Sequence, residues 1–305
     1  MGQIAFVFPG QGAQYPGMGL DLAEASPAAA AVFRMADALR PGTSEQCFGG
    51  SREALQETAN TQPCLFTVEL AAAAALKERG MEPAAAAGFS LGELAALTCA
   101  GAADFAVGFQ LVCRRGALMQ EAAERNPASM AAVVKLDHET VEQLCSRFDG
   151  VYPVNYNCPG QVAVAGKAAS MELFSAAVKA AGGRAIPLKV GGGFHAPFME
   201  EAAAQFAPVL AAAPLKQPEI PLYSNVTGLP YDGDCRELLT RQICSPVRWE
   251  AIIRHMLAAG VDTFVEVGPG NTLGGLISRI DNSARVFGVS DRESLARCIA
   301  EGLTC

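Results

Sequence analysis

The chain has 305 residues, 50% of them hydrophobic, and a formal charge of −8, which is apolar material for one sizeable domain with an insertion or for two unequal domains. The negative balance, with no local basic stripe, excludes general binding to a phosphate backbone. Ten cysteines lie scattered from Cys47 to Cys305 without a C-x-x-C pair, so no zinc or other metal centre and no disulfide framework is expected, and the thiols read as small apolar residues of a reducing compartment.

Met1-Gly2-Gln3 passes directly into the apolar run 4–8, which without a basic leader reads as a core strand rather than a signal segment. The loop Pro9-Gly10-Gln11-Gly12 lets backbone amides approach a ligand, but it lacks the lysine and hydroxyl residue of a P-loop, so a nucleotide reading is weak. Apolar periodicity predicts helices over 28–38, 63–79, 92–99 and 105–123. The alanine block 71–75 is bounded by Glu69 and Lys77 and is too short to span a membrane. A cytoplasmic protein without membrane contact is expected.

A short apolar run at 84–87 delivers Gly88-Phe89-Ser90-Leu91-Gly92 into a helix. This is the pattern of a nucleophile elbow: the glycines permit a sharp strand-to-helix turn that projects the Ser90 hydroxyl and leaves the Leu91 amide free to donate to an oxyanion. Taken alone, the five residues suit a plain glycine turn equally well. In the helix that follows, Arg114 and Arg115 point in different directions. They read either as a solvated pair or as one solvated and one inward-facing guanidinium able to clamp a buried carboxylate.

The segment 128–190 has its own logic. Apolar 131–136, a helix opened by Asp137, apolar 151–154, a Pro159-Gly160 turn, apolar 162–165, a helix capped by Ser170 and stopped by Gly182-Gly183, and a last strand over 185–190 spell β-α-β-β-α-β. A small ferredoxin-like insert is expected there, with 1–127 and 191–305 forming a larger α/β unit. In that unit the strand 263–267, the turn Gly268-Pro269-Gly270 and a helix from Thr272 suit a mostly parallel sheet.

A serine hydroxyl needs a base, and only three histidines are available. His138 follows the cap Asp137 and reads as solvated; His255 lies on the amphipathic helix 249–259 and reads as a helix-face residue. His195 sits in Gly191-Gly192-Gly193-Phe194-His195-Ala196-Pro197, directly after a strand, where catalytic groups are commonly displayed, and is the best partner for Ser90.

Six motifs now stand in order: Phe8-Pro9-Gly10-Gln11-Gly12, Gly88 through Gly92, Arg114-Arg115-Gly116 with Met119-Gln120, Asn155-Tyr156-Asn157-Cys158-Pro159-Gly160-Gln161, Phe194-His195, and Glu266-Val267-Gly268-Pro269-Gly270. Together they resemble the malonyl-CoA:acyl carrier protein transacylase family, over essentially the whole span from Ile4 past Gly275. The resemblance implies an α/β hydrolase-like domain with a small ferredoxin-like one, Ser90 as nucleophile and His195 as general base. It further implies an oxyanion hole from the Gln11 and Leu91 amides, Arg115 on the malonyl carboxylate, and Gln62, Phe89 and Phe194 lining the substrate cleft. The main-chain carbonyl of Gln242 would orient His195, and Asn155 and Asn157 resemble polar positions near the cleft.

The implied reaction moves a malonyl group from malonyl-CoA to a phosphopantetheine thiol supplied by acyl carrier protein, in fatty-acid or polyketide synthesis, with no bound cofactor. A monomer is the default expectation. Lys189, Arg241, Arg248, Arg254 and Arg279 are candidates for a basic patch facing the acidic carrier. Two departures stand out. The family usually carries histidine where this chain has Phe89, and Gly191-Gly192-Gly193 is expected as a flexible lead-in to His195. Phe194 and Leu91 resemble malonyl-selective rather than methylmalonyl-taking relatives. An acyl hydrolase, or a noncatalytic subunit that binds the carrier, are the rival expectations.

Overall fold

The computed structural model describes residues 2–302. Gln3–Phe8 forms β1, fully buried over its last four residues. Three short helices, α1 (Leu20–Ala25), α2 (Pro27–Leu39) and α3 (Thr43–Gly49), lead to the long α4 (Thr58–Glu78) and then to β2 (Ala85–Gly88). After α5 (Gly92–Cys99) and α6 (Phe105–Arg125) the chain builds β3 (Ser129–Val134), α7 (His138–Cys145), β4 (Val151–Cys158), β5 (Gln161–Gly166), α8 (Ala168–Ala180) and β6 (Arg184–Leu188). It closes with α9 (Glu200–Ala212), β7 (Leu222–Tyr223), α10 (Arg236–Gln242), α11 (Trp249–Ala258), β8 (Val261–Val267), α12 (Thr272–Ile280), β9 (Arg285–Val289) and α13 (Arg292–Gly302).

Two sheets result. The larger runs β7-β2-β1-β8-β9, every pair parallel, and its central strands β1 and β2 are near-continuous apolar runs, as suits strands covered on both faces. The smaller runs β4-β5-β3-β6, every pair antiparallel, which with the order β-α-β-β-α-β is the ferredoxin-like arrangement expected. Strand alternation divides its residues between two cores. Val133, Val162 and Val164 pack under Phe174 and Val178 of α8, whereas Met130, Val154, Ala163 and Ala165 join the main core. The small sheet is tied to the connection before α11 by backbone bonds from Tyr156 N to the Val247 carbonyl (2.8 Å) and from Val247 N to the Val154 carbonyl (2.9 Å).

Three local expectations need correction. The helix expected to open at Pro63 opens at Thr58, and Pro63 lies inside it. Proline is favoured in the first helical turn, but here it occupies the second, so Gln62 projects from a formed helix rather than a lead-in. Ser170 is no cap: α8 follows Lys167, and the Ser170 hydroxyl donates to the Asp149 carbonyl at 3.0 Å. The last small-sheet strand ends at Leu188, not Val190. Asp137 does cap α7, accepting from Thr140 N at 2.7 Å.

Candidate active site

At the end of β2 the chain turns into α5 with Ser90 at φ +56°, a left-handed conformation that a non-glycine residue adopts at a cost of about 1–3 kcal/mol. The turn closes this tightly because two neighbours lack side chains. A Cβ on Gly88 would lie 1.9 Å from the Gly92 carbonyl carbon, and one on Gly92 would lie 2.2 Å from the Phe8 carbonyl oxygen. Asn225, just after β7, braces the strained turn from below: its Oδ1 accepts from Ser90 N at 2.7 Å and its Nδ2 donates to the Gly88 carbonyl at 2.6 Å.

His195 faces the serine from the loop after β6, and it too is left-handed, at φ +63°. Its Nδ1 lies 2.8 Å from the Gln242 carbonyl and its Nε2 2.7 Å from Ser90 Oγ. A carbonyl can only accept, so the proton sits on Nδ1 and the Nε2 lone pair is left to receive the hydroxyl hydrogen. Burial, then the nearby charge of Arg115, push the His195 pKa down to about 4, against the pull of the Gln242 and Ser245 backbone. The imidazole is therefore neutral at pH 7.

Of the adjacent arginines, Arg114 is exposed and Arg115 is 1% exposed. Arg115 donates to Gln62 Oε1 at 2.9 Å, Gln242 Oε1 at 2.8 Å and Ser90 Oγ at 3.3 Å. Burial lowers its pKa to about 10, with Glu93 opposing, so the guanidinium stays charged although all three acceptors are neutral. A buried cation with only neutral partners beside a nucleophile can take a carboxylate.

Residues 5–293 fit the model of the acyl transferase domain. The chain belongs to the acyl transferase domain family. It is 40% identical to the malonyl CoA-acyl carrier protein transacylase of Bacillus subtilis (strain 168), covering 98% of this chain and 97% of that protein. It is 39% identical to the protein of the same name from Escherichia coli (strain K12), at 98% and 99% coverage. A solved malonyl-transacylase in complex with a type II PKS acyl-carrier protein superposes with a TM-score of 0.94 at 37% identity, covering 98% and 99% of the two chains.

In this family member the cleft has two chambers. The inner one, about 90 Å³, brings together Gln11, Gln62, Phe89, Ser90, Leu91, Phe194 and His195. Among the described residues, neither the Gln11 nor the Leu91 amide donates to a backbone carbonyl. The outer one, about 240 Å³, is lined by the loop Pro9 to Ala13, Asn155, Asn157, Leu188 and the head of α12. Asn155, which borders both chambers, and Asn157 are buried with both Oδ1 atoms unpartnered. All nine residues proposed from the sequence for the site thus fall at one place, Gln242 through its bonds to His195 and Arg115.

Other expectations fare differently. The Gly192 and Gly193 lead-in is close-packed rather than flexible: Cβ atoms there would lie 2.5 Å from Ala123 Cβ and 2.6 Å from the Phe198 ring. His138 is not freely solvated; it is half-buried, with Nε2 3.2 Å from the Cys158 carbonyl and 3.4 Å from Glu250. His255 is exposed on its helix, with Nδ1 2.8 Å from the Gly228 carbonyl. Arg241, Arg254 and Arg279 bond Glu237, Glu250 and Gln161, and Arg248 lies over the Tyr156 ring, which leaves exposed Lys189 the least engaged of the five.

Sequence reasoning missed Asn225, Tyr231 and Glu93. Glu93 carried a signal, as a lone carboxylate on the otherwise apolar stretch Gly92–Cys99. Asn225 and Tyr231 carried none, because they come from a connection distant in sequence. No helix among the described residues is long and apolar enough to cross a membrane.

Proposed function

We propose that the chain transfers a malonyl group from malonyl-CoA to the phosphopantetheine thiol of acyl carrier protein through an acyl-serine intermediate. The observation that carries this is Arg115, a fully buried cation with neutral acceptors only, 3.3 Å from the hydroxyl that His195 can deprotonate. A free carboxylate on the acyl group supplies an anion in direct contact with Arg115.

Ser90 Oγ attacks the thioester carbonyl while its proton passes to His195 Nε2, and the oxyanion lies against the Gln11 and Leu91 amides. The carbon–sulfur bond then breaks and the CoA sulfur takes the proton from His195. The carrier's thiol repeats the sequence in reverse, its proton going to His195 and the ester oxygen of Ser90 receiving it. Thioester, ester and thioester are nearly isoenergetic, so no nucleotide or metal is called for. Gln62 and Gln242 hold the guanidinium for the carboxylate, while Phe89 and Phe194 wall the acyl pocket.

The outer chamber suits the pantetheine arm, whose amide hydrogens would satisfy Asn155 and Asn157. The division into a catalytic unit, 1–127 and 191–305, and a small unit, 128–190, that walls this chamber belongs to the same reading, as do a cytoplasmic monomer and a carrier docked near Lys189. Assay of malonyl transfer from malonyl-CoA to phosphopantetheinylated carrier, against release of free malonate, tests it. Transfer outpacing hydrolysis supports the transferase, and hydrolysis alone would make the protein an acyl hydrolase.

A further inference from the structure

Behind Ser90 lies a carboxylate that the reaction does not touch. Glu93, on α5, is fully buried, and every contact it makes is as an acceptor. Its Oε1 accepts from the Asn225 backbone N–H at 3.0 Å and the Tyr231 hydroxyl at 2.6 Å, and its Oε2 accepts from Gln242 Nε2 at 2.9 Å. A protonated carboxyl would have to displace one of these donors, so the geometry belongs to the anion. At the other end of the same amide, Gln242 Oε1 accepts from Arg115. Arginine only donates and a carboxylate only accepts, so the two charges dictate which way round the Gln242 amide lies. Gln242 Nε2 also donates to the Ser90 carbonyl at 2.6 Å, and the backbone carbonyl of Gln242 faces His195.

We propose that Glu93 is a positioning residue for the acyl-transfer centre: the counter-ion of Arg115 at one amide's remove, which fixes Gln242 and through it sets Arg115, Ser90 and His195 together. This rests on the acyl-transfer reading above. Tyr231, Arg115 on α6 and Cys235 at the head of α10 are the titratable groups that face Glu93, with His195 linked through the Gln242 carbonyl. Burial lifts the Glu93 pKa to about 7, against the Tyr231, Asn225 and Gln242 donors and the charge of Arg115. Proton uptake as pH falls through this range puts a hydrogen where Gln242 donates and loosens the amide.

The test is the pH dependence of kcat and KM for malonyl transfer to the carrier protein, in the native chain, Glu93→Gln and Tyr231→Phe. The native kcat/KM is expected to drop to a lower plateau as pH falls through about 7. In Glu93→Gln the two side-chain amides frustrate each other, so kcat falls about ten- to a hundredfold without a rise in KM for malonyl-CoA, and the step near neutrality disappears. Tyr231→Phe removes one donor to the carboxylate and moves the step to higher pH. A Glu93→Gln protein within twofold of native and with the same pH profile overturns the proposal; should that variant fail to fold, an unmoved step in Tyr231→Phe overturns it instead. A native chain that transfers no malonyl at all defeats the acyl-transfer reading along with it.

Discussion

The two chambers of the cleft are built on opposite plans. Around Ser90 the polar side chains are already paired with each other: Arg115 with Gln62 and Gln242, Gln242 with Glu93, His195 with the Gln242 carbonyl. In the outer chamber the Asn155 and Asn157 oxygens are buried and unpartnered. A reacting centre gains from groups fixed before substrate arrives, since no reorganisation is then needed in the transition state. On the proposed reading, a channel for a long flexible arm gains from acceptors that the arm's amides can satisfy, because an unpaired buried polar group costs about 1–3 kcal/mol. The difference also follows the fold. Gln62, Glu93, Arg115 and Gln242 stand on helices α4, α5, α6 and α10 of the larger unit, and the asparagines on β4 of the antiparallel sheet.

Substitutions should separate the chambers by kinetic signature. Arg115→Ala removes the buried cation at the inner chamber, and we expect kcat/KM for malonyl-CoA to fall by about 3–4 kcal/mol, a few hundredfold, with acetyl-CoA much less affected. Equal losses for both acyl groups would assign Arg115 to structure rather than selectivity. Acidification strikes the same chamber: protonation of His195 removes the base, so kcat/KM should vanish as pH falls through about 4, on a tenfold-per-unit limb that a pH–rate profile reads directly. A limb at the ordinary histidine value would mean that burial and Arg115 do not govern this imidazole.

Smaller effects belong to the outer chamber and its border. Asn155→Ala and Asn157→Ala should each raise KM about three- to tenfold, for both malonyl-CoA and the carrier, with kcat nearly unchanged; a loss confined to kcat would move these residues into the reacting centre. Phe89→His restores the residue usual in the family. Because Phe89 packs edge-on against Trp249 at 5.6 Å and bonds neither Ser90 nor His195, acylation should change less than about threefold.

What the sequence showed follows the same division. The elbow and His195 were legible because each depends on short-range chemistry, glycines where a Cβ cannot fit and a histidine in a loop, whereas spacing alone left Arg114 and Arg115 open to a solvated pair and only the family resemblance singled out Arg115. The arrangement β-α-β-β-α-β was legible from alternation and turn residues. The brace from Asn225, the hydroxyl of Tyr231 and the role of Gln242 as a hub were not, since they join segments separated by more than a hundred residues. Strands β7 and β9 escaped as well. β7 has only two residues, and β9, half-buried throughout most of its length, lacks a clear apolar run.

The proposed transfer requires a covalent acyl group carried by Ser90. Intact-mass analysis of the native chain and of Ser90→Ala, each mixed with malonyl-CoA and then with phosphopantetheinylated carrier protein, tests this most directly. The expected result is a malonyl adduct on the native chain alone that passes to the carrier. No adduct on the native chain, or an adduct that persists in Ser90→Ala, would contradict it.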